Sequence, residues 1–80
     1  MKVLIADDHP LVRNGLRGVL EEFADDMTVV EATDFPQALE AVAANPDLTL
    51  VLLDLDMPGG RGLDGIGAVQ ERLPTAPVVI

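Results

Sequence analysis

Apolar positions along this chain follow two alternating rhythms. Lys2–Ala6 (KVLIA) is a short apolar run of β type. Asp7, Asp8 and His9 follow it, and then Pro10, which suits the first position of a helix. Val12, Leu16, Val19, Leu20 and Phe23 recur at helical spacing and form one apolar stripe, with Gly15 and Gly18 weakening that helix. Thr28–Ala32 (TVVEA) predicts a second strand. Thr33 and Asp34 are candidate caps for a second helix with the stripe Phe35, Ala38, Leu39, Val42 and Ala43, and Asn45-Pro46 stops it. Leu48–Leu53 is a near-continuous apolar run, the pattern of a strand buried on both faces. Asp54–Gly62 (DLDMPGGRG) predicts a loop by its glycine and proline content. Leu63, Ile66, Val69 and Leu73 form a third helical stripe, with Gly65 and Gly67 inside it, so this helix should be the least stable. Pro74 ends it, and Val78–Ile80 begins a fourth apolar run. The order β-α-β-α-β-α-β predicts an α/β domain with right-handed crossovers and a parallel sheet.

Composition narrows the class. Half of the 80 residues are apolar (49%), which is a globular composition, and the length allows a single small domain. A chain this short buries only roughly 60–65% of its unfolded surface, so its stability should be marginal. The run Leu50–Leu53 is as long as any unbroken apolar run, which argues against a transmembrane helix, and no basic segment leads into a long apolar stretch as in a signal peptide. There is no cysteine, hence no disulfide framework and no thiolate metal site or nucleophile, a pattern that fits a cytoplasmic protein. The formal charge of −9 disfavours contact with nucleic acid or an anionic membrane and favours a cation or a basic partner.

The carboxylates give that charge a place. Ligands of open parallel sheets bind beyond the carboxyl ends of the strands. Asp7 and Asp8 lie just past the first strand, and Asp54 just past the third. In a flavodoxin-like order, 2-1-3-4, strands one and three are neighbours at the switch point, and three carboxylates converge on one crevice. Like charges that close call for a counter-cation, and hard oxygen ligands without cysteine favour Mg²⁺. Taken singly, an Asp-Asp pair after a strand also reads as a solvated turn or helix cap, and Asp54 as a turn residue. Asp54-x-Asp56 is a common spacing and weak alone. His9 reads as a residue of the helix start or as an outer neighbour of the site rather than a ligand. Met57 is read as packing, Pro58 as fixing the loop, and Arg61 as a solvated loop charge.

With these residues in place the sequence resembles the receiver domain of a bacterial two-component response regulator. The first strand followed by Ala6-Asp7-Asp8-His9-Pro10, and Leu53-Asp54-Leu55-Asp56-Met57-Pro58-Gly59 with Gly62 beyond, both match the family, and the likeness covers the whole chain. The stretch ADDHP followed by LVRNGL resembles the LuxR/NarL-type subfamily, whose output is a helix-turn-helix that binds DNA. The resemblance implies a flavodoxin-like (CheY-like) fold. It implies that Asp54 is the phosphoryl acceptor and that Asp7 and Asp8 hold Mg²⁺ together with Asp54 and the backbone carbonyl of Asp56. Met57 and Pro58 would shape the loop. A sensor histidine kinase would be the partner and phosphoryl donor, and the receiver would act as acceptor rather than as an enzyme, with at most Mg²⁺-dependent self-phosphorylation and dephosphorylation.

The family pattern also has a Ser or Thr at the end of a fourth strand and a Lys at the end of a fifth. The sequence ends at Ile80, inside the fourth strand, so the expectation is a receiver's N-terminal part, residues 1–80, lacking the fifth strand and the last two helices. Lys2, at the start of the first strand, is at the wrong end to stand in for the missing lysine. The face that the fifth helix shares with the first should be partly bare and the fourth strand an exposed edge, which favours self-association. Two other functions compete. One is a non-phosphorylatable interaction module, a pseudo-receiver. The other is a haloacid-dehalogenase-like phosphatase, whose Asp-x-Asp would be Asp54-Leu55-Asp56. In that family the second Asp is the acid/base, so Asp56→Ala separates it from a receiver, which uses only that residue's backbone.

Overall fold

A computed structural model describes residues 1–54, 56–57, 63–73 and 76–79, with the side chains of residues 63–65 outside that description. The elements are β1 (Lys2–Ala6), α1 (Pro10–Phe23), β2 (Thr28–Ala32), α2 (Phe35–Ala44), β3 (Leu50–Leu53), α3 (Leu63–Arg72) and β4 (Val78–Val79). The strands form one parallel sheet in the order β2-β1-β3-β4, so the α/β reading and the 2-1-3-4 order both hold. Among the described residues no helix is long and apolar enough to cross a membrane.

Local chemistry sets the helix ends. Pro10 opens α1 where its missing N–H costs nothing. Asp34 caps α2: its Oδ1 accepts the Gln37 N–H at 2.8 Å. The Gln37 Oε1 reaches back to accept from Thr33 N (3.0 Å) and Thr33 Oγ1 (2.9 Å), the reciprocal pattern of a capping box displaced by one residue.

The register decides which residues share a face. Leu4 pairs with Val30 and Val51, and Ala6 with Ala32 and Leu53. These side chains point toward α2 and α3, where Phe35, Ala38, Val42, Val69 and Leu73 close the core. Met57 is buried in the same cluster, as expected of a packing residue. Ala43, placed on the α2 stripe by spacing, is exposed.

The opposite face carries Val3, Ile5, Val29, Glu31, Leu50, Leu52 and Val79, and α1 lies across β1 there. Val3 and Ile5 are fully buried. Leu50 and Leu52 are half-buried and Val79 is 49% exposed. The expectation that the Leu48–Leu53 run is a strand buried on both faces is therefore corrected: β3 begins at Leu50 and is buried only on the side of α2 and α3. The reason is width. One helix about 10 Å across cannot roof four strands spaced about 4.8 Å apart. The α1 stripe contains no buried residue, since among the described residues no second helix flanks α1 on this face, and Val12, Val19 and Phe23 are 45%, 53% and 79% exposed. The partly bare face and the edge position of β4 match the expectation drawn from the resemblance.

Candidate functional site

The ladder itself places two of the carboxylates. It runs one step beyond the strands: Asp7 N donates to Ala32 O at 3.0 Å, and Asp54 N to Ala6 O at 2.9 Å. Asp7 and Asp54 thus emerge side by side from adjacent strands at their carboxyl ends. Each then turns the chain in the same way. The Asp7 Oδ1 accepts the N–H of His9 at 2.8 Å, and the Asp54 Oδ1 accepts that of Asp56 at 2.9 Å. These are Asx-turns, which leave one oxygen of each carboxylate oriented by its own backbone.

Asp8 completes the group. Side chains of Asp7, Asp8, His9 and Asp54 each offer a ligand atom, and all four atoms lie within 4.8 Å of one another. The three carboxylates are mostly shielded from solvent, with side chains 15%, 33% and 21% exposed for Asp7, Asp8 and Asp54. The sequence-predicted convergence of Asp7, Asp8 and Asp54 is therefore present. The exposed Asp56 side chain is not among these four ligand-bearing groups. Pro58 and Arg61 lie outside the described residues.

The sequence reads His9 as a helix-start residue or an outer neighbour of the site; it is the N-cap of α1 with a side chain 63% exposed, and its Nδ1 nevertheless lies against the carboxylates. His9 Nδ1 lies 2.7 Å from Asp7 Oδ1, 3.1 Å from Asp8 Oδ1 and 3.7 Å from Asp54 Oδ2. Its pKa is raised above the ordinary value of 6.5, first by the hydrogen bond to Asp7 and then by the charges of Asp8 and Asp7. A ring nitrogen carries one hydrogen at most, here directed at Asp7. Asp8 Oδ1, though at ion-pair distance, is buried and takes no hydrogen bond.

Arg13 was missed. Its Nη1 donates to the Asp7 carbonyl at 2.7 Å and its Nε lies 3.3 Å from Glu31 Oε1. Arg17 Nη2 meets the other Glu31 oxygen at 3.0 Å. Glu31 thereby ties the first two turns of α1 to the sheet edge beside the site. The available signal was a charged residue within the β-type segment TVVEA, set against arginines one helical turn apart. Lys2 is at the opposite end of the sheet, donating to Asn45 Oδ1 (3.0 Å) and Asp47 Oδ1 (3.2 Å), and so does not reach the carboxylates.

A cavity of about 590 Å³ opens beside this group. Ile5, Leu16, Leu52 and Val79 give it an apolar floor, and Asp7, His9, Asp54 and Asp56 line its polar end. It is the uncovered strip of the α1 face running up to the carboxylates.

Comparison with known proteins places this arrangement. The family profile of the response regulator receiver domain matches residues 3–80. The chain is 44% identical over 79 residues to the glycerol metabolism activator of Pseudomonas putida, covering 99% of this chain and 36% of that protein. It is 40% identical over 79 residues to the nitrate/nitrite response regulator protein NarP of Escherichia coli (strain K12), with the same coverage of 99% and 36%. The chain thus spans about a third of the length of the curated relatives it matches. Among solved structures it superimposes on a chain from the complex of histidine kinase ThkA with response regulator protein TrrA, with a TM-score of 0.80 and 28% identity over 96% of this chain and 64% of that one. The matched sequence and the sheet order agree, and the chain belongs to the response regulator receiver domain family.

Proposed function

We propose that this chain is the phospho-acceptor part of a two-component regulator, with Asp54 as the acceptor. The observation that carries the reading is the meeting of Asp7, Asp8 and Asp54 at the carboxyl ends of adjacent strands, with ligand atoms within 4.8 Å. A carboxylate oxygen of Asp54 would attack the phosphorus of a kinase phosphohistidine. The O–P bond forms, the P–N bond breaks, and its electron pair stays on the imidazole nitrogen, which takes up a proton. The Asx-turn through Asp56 N–H fixes the Asp54 carboxylate for this attack.

The donor set fits a hard divalent cation. Asp8 Oδ1 is buried without a hydrogen bond, and the neighbouring donors are carboxylate oxygens. Asp7, Asp8, Asp54 and the carbonyl of Asp56 would hold Mg²⁺. When bound, the ion neutralises the incoming phosphoryl oxygens and holds them in line. Arg13 keeps the Asp7 carbonyl in place, and the apolar floor of the cavity lowers the local dielectric around the carboxylates.

The complex of ThkA with TrrA supports a sensor histidine kinase as partner. The transcriptional activator and transcriptional regulatory proteins among the relatives support an output in transcription, carried by the part of such proteins that this chain does not span; the absence of cysteine fits a cytoplasmic setting. Exposed Val12, Val19 and Phe23 on the α1 stripe and Val79 on β4 border the uncovered face, and copies of the 80-residue chain should pair through it at high concentration.

The test is intact-protein mass after incubation with a small acyl phosphate, with and without Mg²⁺. The expected result is a Mg²⁺-dependent gain of one phosphoryl group, lost in Asp54→Asn and kept in Asp56→Ala. A folded chain that gains nothing refutes phospho-acceptance by these residues and leaves the pseudo-receiver reading. Loss in Asp56→Ala would favour the phosphatase reading.

A further inference from the structure

The proposed reading assigns no task to His9, although its ring reaches all three carboxylates. We propose that His9 Nδ1 is itself a ligand of this cation site and biases it toward a first-row transition metal over Mg²⁺. The inference rests on the reading of Asp7, Asp8 and Asp54 as the metal-holding carboxylates.

Distances carry the argument. In an octahedral site with bonds of about 2.1 Å, neighbouring ligand atoms stand about 3.0 Å apart and opposite ones about 4.2 Å. The separations from His9 Nδ1 are 2.7 Å to Asp7, 3.1 Å to Asp8 and 3.7 Å to Asp54. Two match neighbouring positions, and the third falls between neighbouring and opposite. All four donor atoms lie within 4.8 Å of one another, a little wider than the roughly 4.2 Å between opposite ligands, so small side-chain shifts bring them into one shell. The nitrogen therefore lies among the oxygens at ligand spacing, not behind them.

The backbone keeps it there. His9 is the N-cap residue of α1, its N–H is held by Asp7 Oδ1, and its carbonyl accepts from Arg13 N at 3.0 Å. The ring makes no capping hydrogen bond to the helix; the hydrogen bond of its Nδ1 is to Asp7 Oδ1, within the site. On coordination the Nδ1 lone pair faces the metal, and the hydrogen it shared with Asp7 leaves to solvent or is replaced by one on Nε2. An imidazole nitrogen favours the later first-row ions, whereas Mg²⁺ keeps water in preference to nitrogen. The consequence is a site of three carboxylates and one imidazole for a transition metal. For Mg²⁺ it is a carboxylate site, with water in the position of the nitrogen.

One feature of composition makes this sharply testable. The chain has a single histidine and no cysteine, so imidazole nitrogen coupled to a bound metal can only be that of His9. The full 80-residue chain, stripped by chelator, is titrated with Cu²⁺ and separately with Mg²⁺ by calorimetry. The Cu²⁺ form is examined by pulsed electron paramagnetic resonance for imidazole nitrogen coupling. The expected result is imidazole coupling in the wild-type chain, absent in His9→Ala. His9→Ala should weaken Cu²⁺ binding about tenfold or more and change Mg²⁺ binding about twofold or less. A bound Cu²⁺ without imidazole coupling, or equal effects of His9→Ala on both ions, overturns the proposal. The spectrum of the wild-type chain needs no substitution, so a folding defect in the variant does not blunt the test. Asp54→Asn separates the two levels of argument. If it weakens both ions while His9→Ala affects neither, only the role of His9 falls. If it affects neither ion, the carboxylate reading falls with it.

Discussion

Removing one negative charge from the carboxylate group should make the metal-free protein more stable and at the same time abolish its response to Mg²⁺. Asp54→Asn isolates this effect, because the amide oxygen still accepts the Asp56 N–H that Asp54 Oδ1 now takes at 2.9 Å. The charge has two like neighbours, Asp7 and Asp8, with ligand atoms within 4.8 Å. Two unit charges at that range repel by about 1 kcal/mol in water and a few times more in a partly shielded crevice. These side chains are 15–33% exposed, which screens the upper figure, so the net gain on neutralising Asp54 is about 1 kcal/mol. In a domain of this size that corresponds to a rise in Tm of about 4–8 °C. The assay is thermal unfolding by circular dichroism at fixed ionic strength, with chelator or with excess Mg²⁺. The pH should be well above the ordinary histidine range, where a protonated His9 no longer masks the repulsion. The wild-type chain should gain stability from Mg²⁺, about 2.7 kcal/mol at a hundredfold excess over Kd, and Asp54→Asn should gain little. A variant that is less stable than wild type in chelator, or equally stabilised by Mg²⁺, would refute the charge-repulsion account.

Three further outcomes follow from the same structure. Leu4→Ala empties a fully buried position at the centre of the sheet and should cost about 2–5 kcal/mol in denaturant unfolding, a large part of the roughly 4–12 kcal/mol available to 80 residues. The His9 ring, followed by nuclear magnetic resonance, should titrate above 6.5 in the metal-free chain and lower in Asp7→Asn. Its folded pKa is the higher one, so the stability it lends is full below 6.5 and fades as pH rises through the raised value; no change in Asp7→Asn would count against the assigned contact. Phe23→Glu on the open α1 face should lower the average mass in sedimentation at high concentration without lowering Tm, because Phe23 is 79% exposed; a wild-type chain that stays monomeric contradicts pairing through that face.

Much of this protein is legible in its sequence because the deciding interactions are local. Strand and helix order follows from the rhythm of apolar residues, and the α2 start follows from Asp34 two residues before Pro36. The aspartates at the strand ends are legible for the same reason. Once β1 and β3 are neighbours, Asp7 and Asp54 have only one place to go. Other features required the folded chain. The Leu48–Leu53 pattern is that of a strand covered on both faces, and periodicity cannot count the helices available to cover it. A single α1 leaves Leu50 and Leu52 half-buried. The clamp of Glu31 by Arg13 and Arg17 joins residues distant in sequence and depends on α1 lying over the edge of β2. His9 shows the division most clearly. Its neighbours in sequence mark it as the start of a helix, which it is. Only the turn at Asp7 and the proximity of β3 bring its Nδ1 within 3.7 Å of Asp54, a residue 45 positions away, because that distance is set by strand pairing and not by spacing along the chain.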